Sequence, residues 1–262
     1  MNKPVAIITG AASGLGLEMA NQLAAEYQLY LVDVQADKLN ALNQQFTDCK
    51  LFTCDLSNMQ SVDELVAQIS QHNPNIALLI NNAGITHRSQ VRHTQAKVIE
   101  QVMAVDFHAP VRLTQGLLPR LLECKSKIVN ISSMAGWMPV LGRAGYCAAK
   151  SALHQYFETL RGELLDSGLT VLMVYPSFID TPINQNALGG DGNQATHPRS
   201  TVGHIHSANW MVKKIVKAIR NNKQRLFPEP LTLVFSLLYR LWPSLFMRLM
   251  RRKFATELES HS

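Results

Sequence analysis

Thr9-Gly10-Ala11-Ala12-Ser13-Gly14-Leu15-Gly16 is the stretch that decides the fold, because it follows the apolar run Val5-Ala6-Ile7-Ile8 and leads into helix-favouring residues as far as Glu26. A strand that ends in a turn too tight for side chains presents backbone N–H groups and a helix start to a pyrophosphate. Gly10, Gly14 and Gly16 supply that turn, with Ser13 and Leu15 as the loop positions between them. The spacing predicts a dinucleotide site.

The next apolar run, Leu29-Tyr30-Leu31-Val32, reads as a buried strand and finishes in Asp33, 17 residues beyond Gly16. A carboxylate there can accept hydrogen bonds from both adenosine ribose hydroxyls. It would repel the 2′-phosphate of NADP, and neither Ser13 nor Val34 is a cation that could offset it. NAD(H) is therefore the predicted cofactor.

A third cluster turns nucleotide binding into chemistry. Ser132-Ser133 closes the run Lys127-Ile128-Val129-Asn130-Ile131, and Tyr146-x-x-x-Lys150 opens a helical segment 13 residues after Ser133. Residues four apart share a helix face. A phenol with a pKa of about 10 is a poor base at neutral pH, but an adjacent ammonium and a cationic nicotinamide both favour the phenolate. Tyr146 can then exchange a proton with an alcohol or a carbonyl.

These motifs resemble those of the short-chain dehydrogenase/reductase family over nearly the whole chain. Asp55 and Leu56 after the third strand, Asn81-Asn82-Ala83-Gly84 at the end of the fourth, and Tyr175-Pro176-Ser177-Phe178-Ile179-Asp180-Thr181 extend the match. By resemblance, Asp55 and Leu56 meet the adenine ring, and Asn82, Ala83, Gly84 and Pro176 line the cofactor. Ser133 polarises the substrate oxygen, Tyr146 is the acid/base, and Lys150 binds the nicotinamide ribose and lowers the tyrosine pKa. The Ile179 backbone and Thr181 hold the carboxamide.

Two positions depart from the family pattern. The Asn that usually helps hold a water linking the lysine to solvent is Asp106 here, which keeps an acceptor, loses the amide donors and brings a negative charge near Lys150 when ionised. Asp106 is included with the catalytic set for that reason. Ser177 stands where Gly usually follows the Pro, and it crowds backbone close to the nicotinamide.

A chain of 262 residues that is 47% hydrophobic and 17% charged suits one α/β domain and is too apolar for disorder. Strands are predicted near residues 4–9, 28–33, 49–53, 76–80, 126–131, 169–174 and 224–227, interleaved with helical stretches. This is a Rossmann-like, doubly wound, parallel seven-stranded sheet with helices on both faces. The expected organisation is a domain at 1–228 with a substrate loop at 183–207, then a basic amphipathic tail at 229–262. The first strand begins too early for a signal peptide or an N-terminal membrane helix.

Cys49, Cys54, Cys124 and Cys147 lack C-x-x-C spacing and read as buried thiols in a reducing compartment. Cys147 points about 100° around the helix from Tyr146, so it packs. His197, His204 and His206 have no partnering Cys and read as a solvated loop, with no metal expected. That loop is Gly-rich, expected to be mobile without ligand, and forms a lid. Met134, Trp137, Met138, Val140, Leu141 and Phe178 are expected to edge the pocket it closes; an apolar lining of this kind argues for a lipophilic substrate.

Charge is lopsided: residues 1–210 carry 14 basic and 16 acidic side chains, whereas 211–262 carry 11 and 3. In the tail, Leu231 to Tyr239 is an apolar run far short of the ~20 residues that span a bilayer, and Arg240 and Pro243 interrupt its continuation. Ser236, Arg240, Ser244, Arg248 and Arg252 recur every four residues with Leu, Phe, Trp and Met between them. Such a helix can lie in an anionic lipid interface, or pack on its own domain or a second subunit at the substrate entrance. The tail also resembles that of a branch related to 11β-hydroxysteroid dehydrogenases, whose members are often membrane-associated. Basic residues alternating with large aliphatics do not form a nucleic-acid groove.

The sequence thus predicts an NAD(H)-dependent oxidoreductase acting on a secondary alcohol or ketone of a lipophilic substrate. The expected form is a homodimer or homotetramer in the cytoplasm, with peripheral contact at the inner face of a membrane. The alternative is a non-catalytic, NAD(H)-binding, membrane-associated adaptor, motivated by Asp106 and the tail.

Overall fold

A computed structural model describes residues 3–196 and 204–255. Six strands run in parallel: β1 Val5–Thr9, β2 Gln28–Asp33, β3 Cys49–Thr53, β4 Ile76–Asn81, β5 Lys127–Ile131 and β6 Thr170–Val174. A short seventh, β7 Arg225–Leu226, pairs with the end of β6, giving the order β3-β2-β1-β4-β5-β6-β7. The order reverses between β1 and β4, where the two halves of a doubly wound sheet leave a crevice at the strands' carboxyl ends.

Strand side chains alternate between the two faces, and the helices follow that division. Val5 and Ile7 join the core beneath α3 Met59–Gln71, α5 Ala109–Glu123 and α6 Ala144–Glu163. Ala6 and Ile8 join the opposite core with α1 Gly14–Leu23, α2 Ala36–Ala41 and α7 Ala208–Arg220. Both faces of β1 are covered, so its five residues form an unbroken buried run. Each fully buried Ile or Leu contributes roughly 1.5–3 kcal/mol of transfer free energy to folding.

Between α4 Ala96–Met103 and α5, residues Ala104–His108 widen into a π-turn in which the Ala109 N–H reaches the Ala104 carbonyl. Pro110 explains the widening, because it has no N–H to give the Asp106 carbonyl one turn back. The turn carries Asp106, which is 1% exposed, into the interior behind the crevice.

The tail forms α8 Pro230–Leu241 and α9 Pro243–Lys253, separated at Trp242 where Pro243 ends the first helix. Phe246, Met250 and Phe254 pack against Met138, Val140 and Leu141, so this pair is a wall of the same body. In α8 the polar stripe sits opposite to its simplest amphipathic reading: Thr232 and Ser236 are buried against the domain and Arg240 lies 4.3 Å from the Trp137 ring, whereas Ser244, Arg248 and Arg252 of α9 are exposed. Leu231, Val234, Leu237 and Leu241 are 50–66% exposed on the outer side.

The loop after β6 is also more tied down than its glycines imply. Leu188 forms bridges with His87 and Gln194, and the Gln95 N–H donates to the Gly190 carbonyl at 2.8 Å. A Cβ on Gly190 would lie 2.0 Å from the His93 carbonyl oxygen, so glycine here serves a close backbone approach. His206–Ser207 pairs with Ile179–Asp180 in a separate short ladder, and His197 lies outside the described residues.

Candidate functional site

One cavity of about 810 Å³ runs from the switch point across the carboxyl ends of the strands to the tail helices. At its start lie Gly10, Ser13, Gly14 and Leu15; Gly16 is not on the wall but directly behind it. A Cβ on Gly16 would stand 2.0 Å from the Gly10 carbonyl oxygen, and Gly10 itself has φ +66°. Both positions therefore require glycine, which keeps the start of α1 close enough to the loop to expose its N–H groups.

Asn82 braces this loop. Its side-chain amide donates to the Thr9 carbonyl at 2.9 Å and to the Gly10 carbonyl at 3.2 Å, while the Asn82 and Ala83 N–H groups both donate to Thr9 Oγ1 at 3.0 Å. Asn82, Ala83 and Gly84 still form part of the cavity wall.

Asp33 closes the end of β2 and is 6% exposed. Its two oxygens accept from the Ala12 N–H and the Gln35 N–H, both at 2.9 Å, which holds the carboxylate at the cavity edge with lone pairs to spare. Asp55 is held similarly by the Ser57 N–H and hydroxyl, with Leu56 beside it on the wall. Among the described residues, the Lys and Arg side chains on the cavity are Arg143, Lys150 and Lys253; none belongs to the elements around Asp33.

Midway along, Ser133, Tyr146 and Lys150 face the cavity together. Ser133 caps the turn Met134–Gly136, its hydroxyl accepting from the Ala135 N–H at 3.1 Å. Lys150 Nζ donates to the Ile131 carbonyl at 3.0 Å and stands 5.7 Å from the Tyr146 ring. Burial pushes the Tyr146 phenol up, the Lys150 ammonium pulls it down, Asp106 pushes it up and a hydrogen bond with Ser133 pulls it down; the balance lies above the ordinary value.

Asp106 does not reach the cavity. Its Oδ1 accepts from the Ile85 N–H at 2.8 Å and its Oδ2 lies 3.0 Å from Lys150 Nζ. Burial raises the Asp106 pKa against the pull of Lys150 and the Ile85 N–H. For Lys150 burial acts downward, yet the attraction of Asp106 and Tyr146 wins and its pKa is raised. We read the two as an ion pair, since among the described residues neither charge has another opposite charge so close.

On the far side of Tyr146, Pro176, Ser177, Phe178, Ile179 and Thr181 line the cavity with Met134, Met138 and Val140. Trp137, expected among them from sequence, is not on the wall: its ring packs edge-on against Tyr175 and Phe227 and lies under Arg240. Leu141 is likewise off the wall and packs with the tail cluster.

The tail, for which packing on its own domain at the substrate entrance was one of the two expectations, supplies a wall here, where Leu231, Phe235, Phe246, Leu249 and Phe254 complete the apolar end. Sequence reasoning named none of these five as lining residues. It also missed Glu229. The Ser177 hydroxyl donates to Glu229 Oε2 at 2.7 Å, and His206 Nε2 pairs with Glu229 Oε1. The residue that departs from the family's usual glycine thus finds a partner 52 positions away, and His206 is stacked 3.7 Å from Trp210 instead of being a solvated loop residue. No local pattern signals contacts of that separation. Among the described residues no group of His, Cys, Asp and Glu could hold a metal ion.

Residues 4–190 match the family model described as short chain dehydrogenase. The chain belongs to the short-chain dehydrogenase family. Among its relatives, Dehydrogenase/reductase SDR family member 7B of Danio rerio is 33% identical over 94% of this chain and 84% of that protein. Dehydrogenase/reductase SDR family protein 7-like of Drosophila melanogaster is 30% identical over 98% of this chain and 82% of that protein. Solved structures share the fold: a short-chain dehydrogenase from Streptomyces avermitilis superposes with a TM-score of 0.80 at 24% identity, covering 97% of each chain. One from Sphingobium yanoikuyae in complex with NADPH reaches 0.77 at 23% identity (93% of this chain, 95% of that one). One from Burkholderia phymatum in complex with NAD reaches 0.76 at 24% identity, with the same coverage. The family makes the chain an oxidoreductase using a nicotinamide cofactor.

Proposed function

We propose that the protein interconverts a secondary alcohol and a ketone on a lipophilic molecule, such as a steroid, retinoid or lipid-derived compound, using NAD(H). The observation that carries this reading is Ser133, Tyr146 and Lys150 on one cavity, with the glycine cradle at one end and apolar walls at the other.

The cradle suits a dinucleotide: it is closed to any Cβ at Gly16, and Asp33 stands at its ribose end. A bound nicotinamide supplies or takes the hydride. Ser133 Oγ directs its hydrogen toward the substrate oxygen, Tyr146 passes that oxygen its proton or removes it, and Lys150 orients the ribose and stabilises the phenolate. In reduction the Tyr146 proton goes to the oxygen as it becomes an alcohol; oxidation returns it. Ile179 and Thr181 hold the carboxamide. Met134, Val140 and Phe178, joined by the tail's aromatic side chains, exclude water from the reacting atoms.

NAD(H) is favoured over NADP(H) because Asp33 is fixed by two backbone N–H groups at the ribose position with no Lys or Arg from the surrounding elements on the cavity. Peripheral membrane contact is supported by the exposed Leu231, Val234, Leu237 and Leu241, with Arg248, Arg251, Arg252 and Lys253 on the following helix. No helix of the described residues is long and apolar enough to cross a membrane. We propose a cytoplasmic homodimer or homotetramer that meets the inner face of a membrane through this surface.

The test is a panel of alcohols and carbonyls assayed with NAD and NADP. Turnover of lipophilic secondary alcohols or ketones with NAD(H) supports the reading. Tight NADH binding with no turnover on any of them supports the adaptor instead.

A further inference from the structure

The catalytic pair Tyr146 and Lys150 rides on α6, whose first turn has an unusual support. Arg143 is the N-cap residue and makes no side-chain hydrogen bond to the helix N–H groups. The Gly145 N–H, one of the four that an α-helix leaves without an internal partner, donates instead to His87 Nε2 at 2.9 Å. His87 is 0% exposed and does not line the cavity.

That bond fixes the tautomer. Because Nε2 accepts, the ring proton sits on Nδ1, which donates to Ser89 Oγ at 3.1 Å. Ser89 in turn donates to Thr94 Oγ1 at 2.8 Å, and Thr94 donates to the Gln90 carbonyl at 2.7 Å. Every hydroxyl in the relay has one direction left to it. Burial, reinforced by Arg143, lowers the His87 pKa to about 4, so the ring stays neutral and Nε2 stays an acceptor at physiological pH.

The contact is also close in space. A Cβ on Gly145 would stand 3.2 Å from His87 Nε2 and 3.3 Å from Ile99 Cγ1, so this turn of α6 rests against the ring and the α4 surface. The Ser89 N–H donates to the Gly142 carbonyl at 3.0 Å, tying the same segment to the chain just ahead of the helix. Tyr146 follows Gly145 directly.

We propose that His87 is a positioning residue: through the Gly145 N–H it sets the first turn of α6, and so the distance of the Tyr146 phenol from Lys150. This rests on the proposed role of Tyr146. A shift of about 1 Å in a reacting group can cost about 100-fold in rate.

The test uses the full chain carrying His87→Phe, which keeps a ring and loses the acceptor, and His87→Gln, whose amide oxygen can take the place of Nε2. Ser89→Ala is the milder variant, because it removes only the acceptor of the Nδ1–H and leaves the Gly145 contact in place. Three quantities are measured on each: kcat and KM, NADH affinity, and the pH titration of the Tyr146 phenol by ultraviolet difference spectra against Tyr146→Phe. Expected for His87→Phe is a kcat lowered by about 10- to 100-fold with NADH affinity within about twofold, and a Tyr146 titration moved to higher pH as the phenol leaves the ammonium. His87→Gln should recover most of both, and Ser89→Ala should move both in the same direction by less. The titration needs no substrate, so it reports on His87 even if no panel compound turns over. Folded His87→Phe with an unchanged Tyr146 titration and kcat overturns the proposal. So does His87→Gln matching His87→Phe, or, where His87→Phe does not fold, Ser89→Ala leaving the titration in place.

Discussion

Lys150 Nζ stands 3.0 Å from Asp106 Oδ2, with both side chains closed to solvent and the Asp106 carboxylate anchored from its other oxygen by the Ile85 N–H. The ammonium that we propose stabilises a Tyr146 phenolate is therefore partly neutralised from behind. Its remaining strong acceptor is the Ile131 carbonyl, which leaves the third ammonium proton for the cavity side.

Removing that carboxylate charge should free the ammonium to act on the phenol. Asp106 raises the Tyr146 pKa, so Asp106→Asn should lower it, and the acid-side limb of kcat for alcohol oxidation, along which activity rises as phenolate forms, should move to lower pH. The side-chain oxygen that accepts from Ile85 is retained in Asn, so the fold should survive with a loss of about 3–5 kcal/mol from the uncompensated Lys150 charge. A pH profile of kcat, with thermal unfolding alongside, checks both parts.

Asp33→Asn keeps acceptors for the loop while removing the charge that opposes a 2′-phosphate. NAD(H) affinity should fall by about tenfold, the scale of one charge-assisted hydrogen bond, and NADP(H) affinity should rise. Titration of both cofactors by fluorescence measures the ratio. Equal affinities in the unmutated protein would contradict the role given to Asp33.

The exposed leucine face of α8 predicts membrane binding that can be removed without touching the pocket. Val234 and Leu241 are 58% and 66% exposed and do not line the cavity, so Val234→Asp with Leu241→Asp should change stability by under about 1 kcal/mol. Co-sedimentation with anionic vesicles should be lost, and high salt should weaken it in the unmutated chain. Deleting 229–262 would be a poorer test, since it strips Phe246, Met250 and Phe254 from the cavity wall.

Much of this architecture could be read from the residues because its signals are local. The runs at Val5–Thr9, Gln28–Asp33 and Thr170–Val174 are apolar on both faces, as buried parallel strands must be, and they form strands within a residue of their predicted ends. Gly16 and Asp33 carry their meaning in spacing alone. What escaped depends on contacts between distant segments. Trp137 looked like a pocket residue until Arg240, more than a hundred positions later, covered its ring. The α8 stripe was legible as a pattern, yet which side faces the domain was decided by Thr232 and Ser236 fitting against it. Ser177 was visible as a departure, whereas its partner Glu229 was not.

That partner yields a further expectation. Ser177 and Glu229 both line the cavity, and Glu229 also holds His206 at the end of the loop after β6. Glu229→Gln should weaken the His206 contact while keeping a hydrogen bond to Ser177. The expected result is a KM for substrate raised several-fold with kcat changed by less than about twofold, because the loop is loosened and the acid/base group is untouched. Steady-state kinetics on one good substrate decides it.

The most direct test of the proposed chemistry is the Tyr146→Phe enzyme with the best lipophilic alcohol of the panel, following NADH formation and NADH affinity together. Only the proton-transferring hydroxyl is lost, so turnover should be reduced by at least about 1,000-fold with NADH affinity within about twofold of the unmutated protein. A Tyr146→Phe enzyme that keeps most of its kcat would contradict the acid/base role of Tyr146.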